Sequence, residues 1–209
     1  MKHIDIPYLT FMKHAEKVTK GVSGSRPMLK GVNHKSDGTL IVTDSYRLYV
    51  AKKGHTNETT STINPKTGES IEGNFPDVSR LIPDKRNVKF IASLNVKHSL
   101  DALNVLLKGN QIYNKKDTRF TAEVTEDKEL IFIVSNSFID ATYKTSKYIT
   151  GDAQTMCIDT KYFIEALQLF KDAGIEEIDF RAYGELRPFT LTAGDNDELL
   201  ALIMPVRNF

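Results

Sequence analysis

Hydrophobic and polar positions along this chain follow a pattern that occurs three times. Each repeat has a short apolar run, then a segment with apolar residues three or four apart, then three short runs of strand-like character. Apolar spacings of three to four residues are typical of an amphipathic helix, and alternation is typical of a strand. The order of strand, helix and three strands predicts an α+β fold of antiparallel sheets with helices on one face.

The pattern also gives the expected bounds of each element. Helices are expected over residues 7–21, 96–108 and 160–173. Strands are expected over residues 2–6, 28–35, 39–44, 46–53, 88–94, 119–125, 130–135, 138–145, 155–158, 177–183, 187–192 and 198–206. A polar stretch at residues 55–70 predicts a loop or an irregular hairpin, and residues 82–86 are typical of a domain linker.

The last predicted strand is apolar almost without interruption and then meets Pro205, which cannot donate a ladder hydrogen bond. Chain ends are usually polar and poorly ordered. A hydrophobic end closed by Pro205 and Arg207 therefore predicts a tail that the fold holds in place, where it can line a site.

Composition narrows the class of protein. The chain has 209 residues, of which 40% are hydrophobic and 26% charged, as expected for a soluble globular protein of one or two domains. No run approaches the roughly 18 apolar residues of a membrane helix, and the charged start of the chain is unlike a signal peptide. We expect a cytoplasmic location. The lone Cys157 excludes an internal disulfide and is expected to be a small core residue.

Charge is distributed unevenly. The net charge is +1, but residues 1–60 contain ten Lys and Arg against five Asp and Glu. Lys13, Lys17 and Lys20 lie on one face of the first predicted helix, and Arg26 and Lys30 could extend that stripe. Such a stripe is a local basic surface, and the family resemblance described below implies that it contacts the phosphates of duplex DNA without reading bases. The alternative is an ordinary solvated helix face.

No pattern of an enzyme is found. The five histidines have no metal-ligand spacing, and the chain lacks a phosphate loop, a dinucleotide fingerprint and a nucleophile elbow. We therefore expect no catalytic activity, no metal and no cofactor.

Four segments together resemble a known family. They span residues 26–32, 43–48, 73–83, and 186–189 with the tail 202–207. In order and spacing they resemble the bacterial replicative sliding clamp, the β subunit of DNA polymerase III, most closely its middle and C-terminal domains. A clamp domain contains two repeats and a clamp subunit three domains, so three repeats indicate a shortened homologue. The implied domains are a shortened one at residues 1–83 and a complete C-terminal one at 87–209.

The resemblance implies a pocket between these domains for short linear motifs of polymerases and other replication proteins. Apolar side chains would bury the motif's anchors, and Arg47 and Arg80 would lie at the rim. The implied lining is Leu29, Thr43, Tyr46, Arg47, Leu48, Pro76, Arg80, Leu81, Leu186, Pro188, Ile203, Met204, Pro205, Val206 and Arg207. For the two arginines the alternative is a surface position that only solvates a strand end. The resemblance implies that Arg47→Ala abolishes peptide binding and leaves the fold intact.

The implied function is that of a DNA replication processivity factor. Family members bind duplex DNA non-specifically through helices that line a central hole, and they hold a polymerase on it. A ring would need a homo-oligomer, and twelve repeats per ring would suggest four chains. The alternative is a clamp-like module that does not encircle DNA and acts as a decoy, adaptor or regulator through the peptide pocket alone.

Overall fold

The computed structural model describes residues 4–146, 149–152 and 154–207, which divide into two compact units. The first unit contains residues 4–82 and 192–202, and the second contains residues 83–191 and 203–207. The chain thus leaves the first unit at Ile82 and returns to it near the C-terminal end. In this respect the units differ from the two consecutive domains that the sequence predicts.

Three helices and thirteen strands lie within the described residues. The helices are α1 (Tyr8–Thr19), α2 (Val96–Tyr113) and α3 (Thr160–Asp172). The strands are β1 (Val32–His34), β2 (Leu40–Thr43), β3 (Arg47–Ala51), β4 (Ser61–Ile63), β5 (Phe90–Asn95), β6 (Arg119–Val124), β7 (Leu130–Ser135), β8 (Asp140–Ser146), β9 (Ile149–Gly151), β10 (Thr155–Asp159), β11 (Glu177–Ala182), β12 (Phe189–Ala193) and β13 (Leu199–Ile203). Short 3₁₀ turns occur at Pro27–Lys30, Ser79–Leu81 and Lys85–Asn87.

The predicted α+β class and the order of strand, helix and three strands are confirmed. The second repeat is β5, α2 and β6 to β8, and the third is β10, α3 and β11 to β13. The first repeat has α1 and β1 to β3. The strand predicted at 2–6 is wrong over residues 4–6, which form no strand, and its remainder lies outside the described residues.

Several predicted strand bounds are corrected. The strand expected at 28–35 begins as the 3₁₀ turn Pro27–Lys30, because proline fixes φ and starts such turns readily. The strand expected at 198–206 ends at Ile203, just before Pro205. The polar stretch contains β4, and a bridge between Ile63 and Ser70 makes it an irregular hairpin. Sequence did not predict β9, whose three residues are too few to show alternation.

The first unit is a sheet in the order β4, β1, β2, β3, β13. Ile41 pairs with Val50 and Thr43 with Leu48, so alternation places Ile41, Val50 and Leu48 on one face. There they form a buried cluster with Val78, Leu200 and Leu202. The helix α1 packs on β2 and β3 through its buried residues, which include Phe11, Ala15 and Val18.

The second unit has strands in two orders, β12, β11, β5, β9 and β10, β6, β7, β8. The first strand of each repeat therefore pairs within the sheet of the other repeat. The helices α2 and α3 pack on each other, and the buried ring of Phe163 lies 5.6 to 6.0 Å from the rings of Phe120, Phe132, Phe180 and Phe189. These aromatic contacts form the core of this unit.

Among the helices in the described ranges, none has the length and apolar character required to cross a bilayer.

Candidate functional site

Residues 75–82 of the first unit form a segment that is anchored on the sheet and exposed on its other side. Val78 is buried in the cluster on β2, β3 and β13, and Phe75 and Ile82 pack against the same cluster. Between these anchors Arg80 is exposed and Leu81 has 54% of its surface exposed. The segment therefore presents an apolar side chain and a cation to solvent from a backbone that the core holds in place.

Asp77 fixes the conformation of this segment. Its carboxylate accepts a hydrogen bond of 2.9 Å from the backbone N–H of Ser79, where the 3₁₀ turn begins. The side chain of Ser79, then this backbone bond, and to a smaller extent the nearby Arg80 and Lys35 hold the pKa of Asp77 below its ordinary value. The carboxylate is therefore charged at neutral pH and stabilises the turn that carries Leu81.

The turn between β2 and β3 contributes a second exposed group. Asp44 accepts hydrogen bonds of 2.9 Å from the backbone N–H groups of Tyr46 and Arg47, and Ser45 adopts a positive φ of 81°. Tyr46 projects from this turn with 62% of its surface exposed. The hydroxyl of Thr43 is used inside the turn, where it donates to the carbonyl of Arg47 at 2.7 Å.

Arg47 does not lie at an exposed rim, and that part of the expectation is wrong. It is 5% exposed, its Nε donates to Asp44 at 3.0 Å, and its Nη2 donates to the carbonyl of Lys17 at 3.4 Å. Its guanidinium carbon is 5.9 Å from the centre of the Tyr49 ring. Alternation along β3 puts Leu48 on one face of the sheet and Arg47 on the face that α1 covers. There the positive charge of Arg47 lies at the C-terminal end of α1, where a cation is favourable.

The predicted pocket residues of the first unit thus separate into two groups. The exposed group can contact a partner directly and consists of Tyr46, Pro76, Arg80 and Leu81. The buried group supports them from within and consists of Leu29, Thr43, Arg47 and Leu48. Burial therefore narrows the directly available surface to the turn at Tyr46 and the segment at 75–82.

The remaining predicted pocket residues belong to the second unit. Leu186 is exposed in the turn before β12, Pro188 is half-buried and Ile203 is buried. The tail is held as expected, since the backbone N–H of Val206 donates to the carbonyl of Cys157 on β10 at 2.8 Å. Beyond β13 the exposed side chains are Met204 and Arg207, with Pro205 and Val206 half-buried. Cys157 itself is half-buried, and burial raises the pKa of its thiol.

The basic stripe on α1 has the expected exposure. Lys13, Lys17 and Lys20 are all exposed, whereas Phe11, Ala15 and Val18 on the opposite face are fully buried. Arg26 and Lys30 are exposed as well, and Nη1 of Arg26 donates to the hydroxyl of Ser45 at 2.8 Å. Lys13 and Lys17 of α1, with Lys20 just after it, thus form an exposed cationic face that also contains the exposed acid Glu16.

An exposed apolar patch at the end of α2 was missed by the sequence pattern. Ile112 and Tyr113 are 67% and 53% exposed, and the Tyr113 ring lies 5.9 Å from the ring of Phe138, which is 71% exposed. The predicted helix stopped at residue 108, so its last turn was not assigned to a face. The signal available in the sequence was an Ile-Tyr pair just beyond the predicted helix end.

Within the described parts of the chain, no group of three or more His, Cys, Asp or Glu side chains could hold a metal ion.

In amino-acid sequence this chain is similar to bacterial sliding clamps. The β sliding clamp of Staphylococcus epidermidis is 25% identical over 145 residues, and that of Staphylococcus aureus is 24% identical over 142 residues. Each match covers 66% of this chain and 35% of the relative. The matched part thus spans about a third of the length of these curated relatives. No protein-family model matches the chain.

Solved structures extend the similarity to nearly the whole chain. The DNA polymerase sliding clamp of Bacillus subtilis matches with a TM-score of 0.77 and 21% identity, over 99% of this chain and 64% of that one. The polymerase III subunit beta of Borrelia burgdorferi, solved with a natural product, matches with a TM-score of 0.76 and 18% identity, over 99% and 64%. The predicted resemblance and the clamp fold are confirmed.

Proposed function

The chain is homologous to the bacterial sliding clamps and has their fold, and we propose that it is a non-enzymatic processivity factor of DNA replication. In this proposal it holds a replication protein by a short peptide and contacts the backbone of duplex DNA. The anchored segment at residues 75–82 is the observation that carries the proposal.

The peptide surface is argued from the exposure of that segment. An isolated exposed Leu is common, but Leu81 lies on a turn whose neighbours Val78 and Ile82 are fixed in the core cluster. A preorganised apolar side chain beside a cation loses little entropy when a partner covers it. Leu81 would bury an apolar anchor of the peptide, and Arg80 would bond its carbonyl or acidic groups.

The DNA surface is argued from charge. Lys13, Lys17 and Lys20 give α1 three exposed ammonium groups along one face. Point charges on flexible stems neutralise phosphates without a fixed base contact, so binding is independent of sequence and weakens steeply with salt. A polymerase tied to such a surface rebinds the primer end through high effective concentration rather than tighter DNA contacts.

Encirclement of DNA would require self-association, and the patch of Ile112, Tyr113 and Phe138 is the surface we assign to it. Ile112 and the Tyr113–Phe138 ring pair are large exposed apolar groups that are costly to leave in water. Covering them with a second copy of the chain would remove this cost.

Peptide binding tests the proposal with a labelled peptide that carries the clamp-binding motif of a bacterial polymerase, followed by fluorescence anisotropy. We expect Leu81→Ala to weaken binding about 5- to 30-fold, because loss of a buried anchor costs roughly 1 to 2 kcal/mol. Leu9→Ala is the matched control, since Leu9 is an exposed leucine of the same unit outside the predicted pocket. Equal affinity of the two variants would refute the site.

The second candidate function is a clamp-like module that does not encircle DNA. It is favoured by the exposed face of α2, where Lys97 and Lys108 are accompanied by Asp101 and the 67% exposed Val105. A face of this kind attracts phosphates weakly. Such a module would bind the motif peptide and act as an adaptor or competitor.

A further inference from the structure

Two neighbouring cavities lie on the sheet of the first unit beneath residues 70–78. The larger has a volume of about 540 Å³ and the smaller about 250 Å³, and both are lined by Asn33 and Phe75. We call the two together the Asn33 groove. The larger volume is within the range of about 300 to 1,000 Å³ that is usual for ligand sites. Apart from Pro76, the lining of the Asn33 groove contains no residue of the predicted peptide pocket.

Asn33 is a buried polar group at the junction of these cavities. It lies on β1 opposite Ile41 and Thr62, and it is 7% exposed. Its Oδ1 has no hydrogen-bond donor in the part of the chain that the structure describes. An unpaired buried oxygen of this kind costs about 1 to 3 kcal/mol, a cost that leucine at the same position would not carry.

The lining chemistry indicates what the groove would take. The wall of the larger cavity is rich in hydroxyl and amide side chains, with Glu72 as its charged residue. The wall of the smaller cavity is apolar at Ile41 and Val78, and its Lys35 and Asp77 have opposite charges. A neutral ligand that combines hydrogen-bonding amides with an aliphatic side chain suits both walls, whereas phosphate finds little positive charge.

We propose that the Asn33 groove binds an extended, uncharged peptide segment of a partner protein. A backbone N–H of that segment would donate to Oδ1 of Asn33, and an aliphatic side chain would occupy the smaller cavity against Ile41, Val78 and Phe75. The groove is a second docking site, which shares Phe75, Pro76, Asp77 and Val78 with the segment that presents Leu81 and does not depend on DNA binding.

The test uses N-acetyl-leucine-N′-methylamide, which has two amide groups and one aliphatic side chain, in an NMR titration of the full chain. We expect saturable shifts at the backbone amides of residues 33, 62 and 73–75. Asn33→Leu should weaken binding about tenfold, the equivalent of one lost hydrogen bond, while the free energy of unfolding stays equal or rises. Thr62→Val changes another residue of the groove lining and should also weaken binding. If Asn33→Leu does not fold, Thr62→Val takes its place in the test.

Thr192→Val is the matched control, because the hydroxyl of Thr192 is equally buried, has no partner within the described residues and lies outside the groove. It should leave the affinity unchanged. The absence of saturable shifts at these amides would overturn the proposal, as would wild-type affinity in both groove variants. Tighter binding of N-acetyl-leucine carboxylate or of methyl β-glucoside would overturn the assignment to an uncharged peptide.

Discussion

Burial distinguishes the predicted pocket residues that support the fold from those that can contact a partner. Arg47 and Arg80 both come from motif segments, and their sequence contexts predict the same role at a pocket rim. The structure buries Arg47 against Asp44 and exposes Arg80. Sequence could not distinguish the two arginines. Arg47 is buried because α1 covers its face of β3, and that packing leaves no signal in the local sequence.

Arg47→Ala is therefore expected to destabilise the fold rather than to weaken peptide binding selectively. The side chains of Arg47 and Asp44 are 5% and 7% exposed, so removal of the arginine leaves the buried carboxylate of Asp44 without its cationic partner, at a cost of about 3 to 5 kcal/mol. Chemical denaturation measures the free energy of unfolding. Arg86→Ala is the control, because its ion pair with Asp84 is largely exposed and should contribute little to stability. Similar losses in the two variants would contradict this assignment.

His34 gives the first unit a dependence on pH. It is fully buried, its Nε2 lies 3.1 Å from the hydroxyl of Tyr8, and the His55 ring centre is 5.0 Å away. Its Nδ1 bonds the carbonyl of Val32 at 3.0 Å. Burial lowers the pKa of His34, and the charge of His55 lowers it slightly further. The folded state therefore favours neutral imidazole, and the unfolded chain takes up this proton at a higher pH.

Stability should accordingly be fully present above the unfolded pKa of about 6.5 and should fall as pH decreases below it. This one group would contribute at most about 1.4 kcal/mol per pH unit. Urea denaturation between pH 5 and pH 8 measures the slope, and His34→Gln should flatten it. An unchanged slope in His34→Gln, with flattening in the exposed control His98→Gln, would contradict the assignment.

At the scale of elements, local signals determined how much could be predicted. The starts of α2 and α3 agree with the predicted 96 and 160, because Asn95 and Asp159 cap them by accepting hydrogen bonds from the backbone N–H groups of His98, Lys161 and Tyr162. The end of α2 was predicted five residues early, since Gly109 and Asn110 usually end a helix. The side chain of Asn110 instead donates to the carbonyl of Arg119, and Gly109 allows Ile139 to approach closely.

The exposed patch at the end of α2 follows from the same long-range contacts. Because Asn110 bonds to β6, the helix continues to Tyr113 and brings that ring to Phe138. Local sequence contains the residues of this patch but not the pairing that extends the helix. The segment at 75–82 was predicted from its motif in the sequence alone. The sequence did not show that Val78 is buried and Leu81 exposed, because that difference depends on packing against the sheet.

At the scale of the whole molecule, repeat order and motif spacing were enough to predict the clamp fold. They were not enough to predict that residues 192–202 join the first unit, because strand pairing between distant segments leaves no local pattern. Self-association is equally beyond local pattern, and the proposed encirclement of DNA depends on it.

Retention on circular and linear duplex DNA, measured with the molar mass in solution, tests the central claim most directly. A sliding-clamp-like factor should form an oligomer that stays on closed circles when salt is raised and is lost when they are cut. Lys13→Glu with Lys17→Glu and Lys20→Glu should remove loading at low salt, because the contacts are to phosphates. A monomer that is retained on neither form of DNA would contradict the processivity-factor account.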